Sequence, residues 1–461
     1  MFCSLASREG ASLRILHYAL GFPPFRRGGM TKYCVDLMVA EAGIGHDVLM
    51  LWPGTYWGKN DKVAFRERKP FSQNGQSIGS IELVNPLPVP LLNGISNIPA
   101  YTQRKSTNEI KRFLSDSNID VIHVHTLMGL PSELVLACAD LGIRCVFTTH
   151  DYFGICPHWM LYRSGDVCTD DHDCRFCSGC CRGSLSIWKI RLLQSGLYAR
   201  VKEASAVRLL RGRENALVNK RVAEDVPEGS PEDGERYKAL RDFYLKMLNG
   251  FSTIHYNSTG TRDVYQRYLV DGARGEVISI TNAEITDQRK RRSLHNAVRL
   301  GYCGPADVHK GFDLLIESCD RVFEDGGREF ELHLFNNSPI EREYVVQHGP
   351  YQYVDLPHVM DQIDMLVVPS IYYETFGFTA LEAISYGIPI LLTDRVGARD
   401  LIISGGGGSV SKPDPKSLSA EIRRLISSPN LLEEMNVQIC DGVAPKSIQV
   451  HAKEIVRLYR S

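Results

Sequence analysis

The chain has 461 residues, too many for one ordinary hydrophobic core, so two domains of roughly 200 residues each are expected. With 53 basic and 54 acidic side chains the net charge is −1, which excludes the broad positive field of a nucleic-acid binder, and no nucleic-acid partner is expected. Apolar residues make up 43%, ample for burial, yet no run approaches ~18 apolar residues and no transmembrane helix is expected. Residues 1–12 lack the apolar core of a signal peptide, which predicts a cytoplasmic protein whose 13 cysteines are thiols or metal ligands rather than disulfides.

From Leu13 the sequence reads as strand (13–18), loop (21–29), helix (31–42), turn at Gly43-Ile44-Gly45 and strand (47–52), a βαβ unit opening a parallel sheet. Strands at 120–125 and 144–149 follow, with a helix at 131–141 between them. A second alternating series starts at Ser252, with strands at 252–256, 275–281, 299–303, 330–335 and 365–369. An N-terminal domain over 12–250 and a C-terminal domain over 251–445 are therefore expected. After the glycines 405–408 the chain reads as helical to its end, with a last helix at 448–459 inside a 446–461 tail.

The middle, 150–250, breaks this rhythm, and an insertion at 152–250 is expected. Cys156, Cys168, Cys174 and Cys177 follow the spacing C-x11-C-x5-C-x2-C, with Cys180 and Cys181 close behind. In a reducing compartment such a cluster suggests a tetrahedral thiolate site, most simply structural zinc; an iron–sulfur cluster and unmetallated thiols are the alternatives. Asp170-Asp171-His172-Asp173 lies inside this stretch with no strand before it and reads as loop rather than as an acidic metal motif. Between Arg182 and Arg221 ten basic residues face two acids, Glu203 and Glu214, with Trp188 and aliphatic side chains interleaved. This suits an anionic membrane surface or a lipid-diphosphate acceptor, and equally a solvated basic face. Glu224 to Glu235 holds six carboxylates and reads as a mobile, solvated loop.

The most informative run is Tyr373-Glu374-Thr375-Phe376-Gly377-Phe378-Thr379-Ala380-Leu381-Glu382, which follows an apolar strand and leads into a helix. Ligands of open α/β sheets bind where strands hand over to helices. There Gly377 allows close approach to the backbone, the free N–H groups of the next turn favour an anion such as a diphosphate, and two carboxylates suit hydroxyl groups. Those are the parts of a nucleotide sugar. Three further strand ends carry candidates. Gly28-Gly29 can expose backbone N–H groups or merely turn the chain; Lys310-Gly311 can place a charge on a diphosphate or merely start a helix. His150-Asp151 ends a third strand, and His123 and His125 share one face of a fourth, as cleft residues or as satisfied structural histidines.

These residues resemble retaining glycosyltransferases of family 4. Glu374 and Glu382 match its E-x7-E pattern, and the likeness extends through Pro369-Ser370 and Gly387-Ile388-Pro389-Ile390. The resemblance implies an α/β fold of GT-B type: two Rossmann-like domains with parallel sheets facing a donor cleft, and a C-terminal helix crossing back to the N-terminal domain. It implies transfer of a sugar from a UDP- or GDP-sugar to an acceptor hydroxyl with retention, the leaving phosphate taking the acceptor's proton without a catalytic metal. The acceptor would be a glycan or a lipid-linked glycan of the cell envelope, and the protein would sit at the inner face of the membrane. It places Glu374 and His150 on the donor sugar and Glu382 on the ribose. Lys310 with Phe376, Gly377, Phe378 and Thr379 then holds the diphosphate, over the pair Gly28 and Gly29. Where the family has an arginine five places before its lysine, this chain has Pro305, leaving Arg395 or Arg399 as substitutes. Some bacterial members also have a cysteine-rich stretch after a His-Asp pair. A nucleotide-sugar epimerase on the same fold and a non-catalytic, metal-stabilised nucleotide-binding protein are the alternatives.

Overall fold

The computed structural model describes residues 11–57, 62–90, 94–169, 173–195, 198, 225–269 and 274–461. The first sheet is built from β1 (Arg14–Tyr18), β2 (Asp47–Pro53), β3 (Ala64–Gln73), β4 (Gln76–Val84), β5 (Val121–Val124), β6 (Arg144–Thr148), β9 (Thr253–Tyr256) and β10 (Gly275–Val277). Their spatial order is β10-β9-β6-β5-β1-β2-β4-β3, and all neighbours run parallel except the β3/β4 pair. A two-stranded hairpin, β7 (Tyr162–Arg163) with β8 (Asp166–Val167), projects from the cysteine-rich insertion. The second sheet is wholly parallel, in the order β13-β12-β11-β14-β15-β16. Its strands are β11 (Val298–Tyr302), β12 (Phe330–Leu334), β13 (Val345–Gln347), β14 (Met365–Val368), β15 (Ile390–Thr393) and β16 (Gly408–Ser411).

The central strands are largely apolar because helices cover both faces of each sheet, and β5, β14 and β15 are buried at every position. Helices at Gly29–Gly43 and Ile448–Arg460 pack together on one face of the first sheet, sharing a core that contains Tyr33, Leu37, Ile455 and Tyr459. The last helix therefore ends on the N-terminal half. Its polar side chains are tied in as well: Tyr33 OH lies 2.8 Å from His451 Nε2, and the Tyr459 hydroxyl donates to Glu41 over 2.8 Å.

Three expectations are corrected. The boundary at 250/251 is misplaced, because β9 pairs with β6 and β10 with β9, so the backbone hydrogen bonds of 253–277 are made in the first sheet. The chain passes to the second sheet only after Val277. The segment after the glycines is not all helix, because β16 adds a strand beside β15. Much of the acidic stretch is ordered: Ser230 caps a helix at Pro231–Asn249 by accepting from the Asp233 N–H, and Val226 and Gly229 hydrogen-bond back to Ser164 and Arg175. Residues 170–172, and most of the basic stretch (196–197 and 199–221), lie outside the described residues.

Candidate active site

Two loops at the carboxyl edge of the second sheet meet in an ion pair. Lys310 reaches across from the end of β11 to β14, placing Nζ 2.9 Å from Glu374 Oε1 and 3.0 Å from the Tyr372 hydroxyl. Ser370 donates to the other oxygen of Glu374 over 2.5 Å. Burial pushes the Glu374 carboxyl up, but the Lys310 charge and these hydrogen bonds outweigh it and hold it below the ordinary carboxylate range. For Lys310 burial is the largest single influence and pulls the ammonium down, but the Glu374 charge, Tyr372 and the hydrogen bonds to both together outweigh it and hold the ammonium protonated. The neighbouring His309 is pushed down to about 4, by burial and then by the Lys310 charge.

Glycine makes this approach feasible. Gly311, directly after the lysine, has φ 74°, and a Cβ there would lie 1.9 Å from the Pro369 carbonyl oxygen. Gly377, at φ 105°, starts the helix Phe378–Ser385, and a Cβ on it would lie 3.0 Å from a Val396 methyl group. The first turn of that helix carries no acidic side chain, leaving its N-terminal dipole free for an anion.

The opposite wall comes from the first sheet. Gly28, with φ 119°, opens the Gly29–Gly43 helix and has open space where a Cβ would stand, while a Cβ on Gly29 would face the Phe378 ring at 3.6 Å. The glycine pair and the motif helix thus meet across the cleft. His150 lies two residues past the end of β6, and its carbonyl accepts from Thr375 Oγ1 over 3.1 Å, so the histidine and Glu374 flank one residue of the motif. Burial, reinforced by His451, pushes His150 down to about 3 and leaves it neutral. Glu382 is nearly buried on the second turn of the motif helix, with no side-chain hydrogen bond among the described residues. Burial and the Glu284 charge push its carboxyl up to about 7, against the opposing charge of Lys32.

Other sequence candidates fall elsewhere. The Phe376 side chain is 2% exposed and packs in the core against Phe378, so it can offer a ligand only its backbone. His123 and His125 do share a face, but both are buried and neither lines the cleft. Arg395 is bound to Asp166 at 2.6 Å and to the Ile371 carbonyl, and Arg399 donates to the Asp394 carbonyl over 2.6 Å. Neither arginine's side chain pairs with Lys310 or Glu374, although the Arg395 carbonyl accepts from the Glu374 N–H over 3.0 Å. Both line a polar cleft of about 860 Å³ on the far side of Glu374, together with Tyr152, Asp263 and Arg267. The residue in the family arginine's place, Pro305, offers only its carbonyl, which accepts from Tyr302. Sequence reasoning missed Lys32, which reaches Glu284 at 3.0 Å, and the Ser370 and Tyr372 hydroxyls. Ser370 stood in the matched Pro-Ser pair, a signal that was available; Lys32 is one more helix lysine in the sequence and becomes visible only through folding.

In the insertion Cys174, Cys177 and Cys181 are buried, and Cys156, Cys168 and Cys180 partly so. Burial and then the neighbouring Cys168 push the Cys156 thiol up to about 11. Two groups of three have ligand atoms within 4.8 Å of one another among the described residues, His17/His123/His125 and Cys34/His125/His150; the four cysteines expected to hold zinc are not among them.

The family description "Glycosyltransferase Family 4" matches residues 27–167, and "Glycosyl transferases group 1" matches residues 285–439. A capsular polysaccharide biosynthesis glycosyltransferase, CapM of Staphylococcus aureus, is 25% identical over 206 residues, covering 41% of this chain and 53% of that protein. An uncharacterized 42.6 kDa protein in the cps region of Klebsiella pneumoniae is 20% identical over 297 residues, covering 64% and 62%. The chain therefore spans between half and two-thirds of these curated relatives. Among solved structures, sucrose-phosphate synthase from Thermosynechococcus elongatus superposes with a TM-score of 0.56 at 16% identity, over 97% of this chain and 98% of that one. Anabaena HepE, crystallised with UDP, does so with a TM-score of 0.55 at 12% identity, over 97% and 100%. With one family match on each sheet and the same architecture in solved glycosyltransferases, the chain belongs to the glycosyltransferase group 1 and family 4 proteins of GT-B fold.

Proposed function

We propose that this protein moves a sugar from a nucleotide-diphosphate donor to an acceptor hydroxyl with retention of configuration. The observation that carries this reading is the Lys310–Glu374 pair at 2.9 Å beside the open start of the Phe378–Ser385 helix, with Gly28 and Gly29 facing it. A cation and a helix N-terminus suit a diphosphate, while a carboxylate beside them suits sugar hydroxyls. In this reading Glu374 and His150 hold the donor sugar and Glu382 accepts from the ribose. Lys310, with the backbone of Gly377, Phe378 and Thr379, stabilises the departing diphosphate, a task then met without a divalent cation. The leaving phosphate oxygen takes the acceptor's proton. A donor with uracil as its base agrees with UDP in the HepE structure, and an envelope glycan acceptor agrees with the capsular role of CapM.

Cys156, Cys168, Cys174 and Cys177 are the residues we assign to a structural zinc. Thiols that burial and one another hold neutral ionise when a cation lies among them, so the donor chemistry fits. No helix among the described residues is long and apolar enough to cross a membrane. Trp188 and Leu192, 65% and 51% exposed beside Lys189 and Arg191, favour peripheral binding at an anionic membrane, the cytoplasmic face in this reading.

The test screens nucleotide sugars by thermal stabilisation, then measures nucleotide diphosphate release with and without envelope lipid or glycan acceptors. Acceptor-dependent release supports transfer. Acceptor-independent release of free sugar identifies an epimerase or hydrolase, and binding without turnover identifies a non-catalytic protein.

A further inference from the structure

Behind His150 lies a line of buried side chains that the proposed chemistry leaves unused. His125 Nδ1 is 3.3 Å from His150 Nε2, His125 Nε2 is 2.9 Å from His17 Nδ1, and His17 Nε2 is 2.6 Å from Glu41 Oε2. The rings of His17 and His125 are nearly parallel, 8° apart. Glu41, His17 and His125 are at most 1% exposed, so no water competes for these nitrogens.

A neutral imidazole has one N–H and one bare nitrogen, so the direction of one hydrogen bond in such a line fixes all the others. Burial drives His125 well below its ordinary value and His150 to about 3, so both are neutral near pH 7. Direction is set at the carboxyl end. The other oxygen of Glu41 accepts from the Tyr459 hydroxyl, and Oε2 accepts from His17 Nε2–H. With a single N–H on His17, its Nδ1 is bare and accepts from His125 Nε2–H. His125 Nδ1 is bare in turn and accepts from His150 Nε2–H. The last nitrogen, His150 Nδ1, has no hydrogen-bond partner among the described residues.

We propose that Glu41, His17 and His125 form a tautomer relay that locks His150 with its proton on Nε2 and its bare Nδ1 offered to the cleft as a hydrogen-bond acceptor. Resting on the reading of this cleft as a nucleotide-sugar site, the relay assigns Nδ1 a hydroxyl of the donor sugar as its partner. It makes Glu41, His17 and His125 positioning residues. An unlocked imidazole would spend part of its time with an N–H pointing at the hydroxyl, able to donate to its oxygen but not to accept its proton. Since the line also engages Tyr459, the C-terminal helix helps to hold the carboxyl group that sets the polarity.

Long-range proton–nitrogen correlation spectra of the full chain, labelled with ¹⁵N-histidine and assigned with His150→Gln, read the tautomer without any substrate. A single Nε2–H form for His17, His125 and His150 is expected. An Nδ1–H form or a mixture at His150 overturns the relay. Glu41→Leu should turn the His150 signals into a mixture and lower kcat about tenfold, a usual size for loss of a group that orients a site residue. Glu41→Gln, whose carbonyl still accepts from His17, should restore both; a Gln variant as impaired as Leu in a folded protein overturns the relay too. If the tautomers are as expected but His150→Gln turns over at the wild-type rate, the relay stands and the placing of His150 on the donor sugar fails.

Discussion

Glu374 and Glu382 share a motif, yet the structure gives them opposite electrostatic surroundings, and their variants should differ accordingly. Glu374 sits against Lys310 and is held ionised, which in the proposed reaction suits it to accept from hydroxyls of the donor sugar. Glu374→Gln should therefore lower kcat/KM roughly tenfold to hundredfold, the size expected for one charge-assisted hydrogen bond, while Glu382→Gln should act mainly on the donor's KM. Equal kinetics for Glu374→Gln and wild type on a cognate donor would remove this site assignment. Lys310→Ala should raise KM and slow turnover together, since Arg395 and Arg399 are engaged elsewhere. Glu382 adds a pH signature. Its carboxyl is pushed up to about 7, whereas in the proposed site ribose hydroxyls donate to the ionised form, so binding releases a proton. Donor affinity should rise as pH approaches 7 from below and level off above it, by about tenfold in all between pH 6 and pH 8. Titrating the donor across that range by calorimetry checks the sign, and Glu382→Gln should flatten the curve.

At the scale of elements, one glycine supports the Lys310 loop. Gly311→Ala combines a φ of 74° with a Cβ placed 1.9 Å from the Pro369 oxygen. The backbone conformation alone costs about 1–3 kcal/mol, and the clash adds to it, so urea denaturation should show a loss of at least that size. The cysteine-rich element should hold about one zinc per chain, with destabilisation when Cys174 and Cys177 become serine, because bound metal would supply order that this loop's small core does not. Elemental analysis of protein purified without chelator would read zero if the thiols are unmetallated. The motif strand and helix were legible because an apolar run, Gly377 and the two glutamates carry their own signals. The β3/β4 hairpin was not: β3 is an edge strand with no buried position and no alternation, it has a register shift between Arg68 and Phe71, and its partner is chosen by tertiary pairing. Strand β9 was read correctly as a strand and assigned to the wrong sheet, since its sequence states that it is buried but not against which neighbour. Phe376 illustrates the same limit within the site, a motif residue whose ring belongs to the core.

For the whole molecule, near-neutral charge hides strong local differences, and the basic segment after the cysteines is the largest of them. Each basic side chain near an anionic surface contributes about 1 kcal/mol, so three or four engaged residues hold a protein loosely and reversibly. Co-sedimentation with anionic vesicles, reversed by salt, is expected; equal and negligible binding to anionic and neutral vesicles would favour a soluble acceptor. The two-domain plan was legible in the alternation of strands and helices. The point of crossing was not, and its position has a mechanical consequence. The chain passes between the halves twice, once after Val277 and again between Asp441 and the helix that starts at Ile448. Arg289, on the first passage, donates to the carbonyls of Ile439, Gly442 and Val443 at the second, over 2.6, 3.0 and 3.3 Å. Two crossings pinned side by side leave the halves free to rotate about the line through them but hinder sliding or drawing apart. The cleft should then open like a hinged jaw, with Gly28 and Phe378 separating along an arc while the crossings stay almost still.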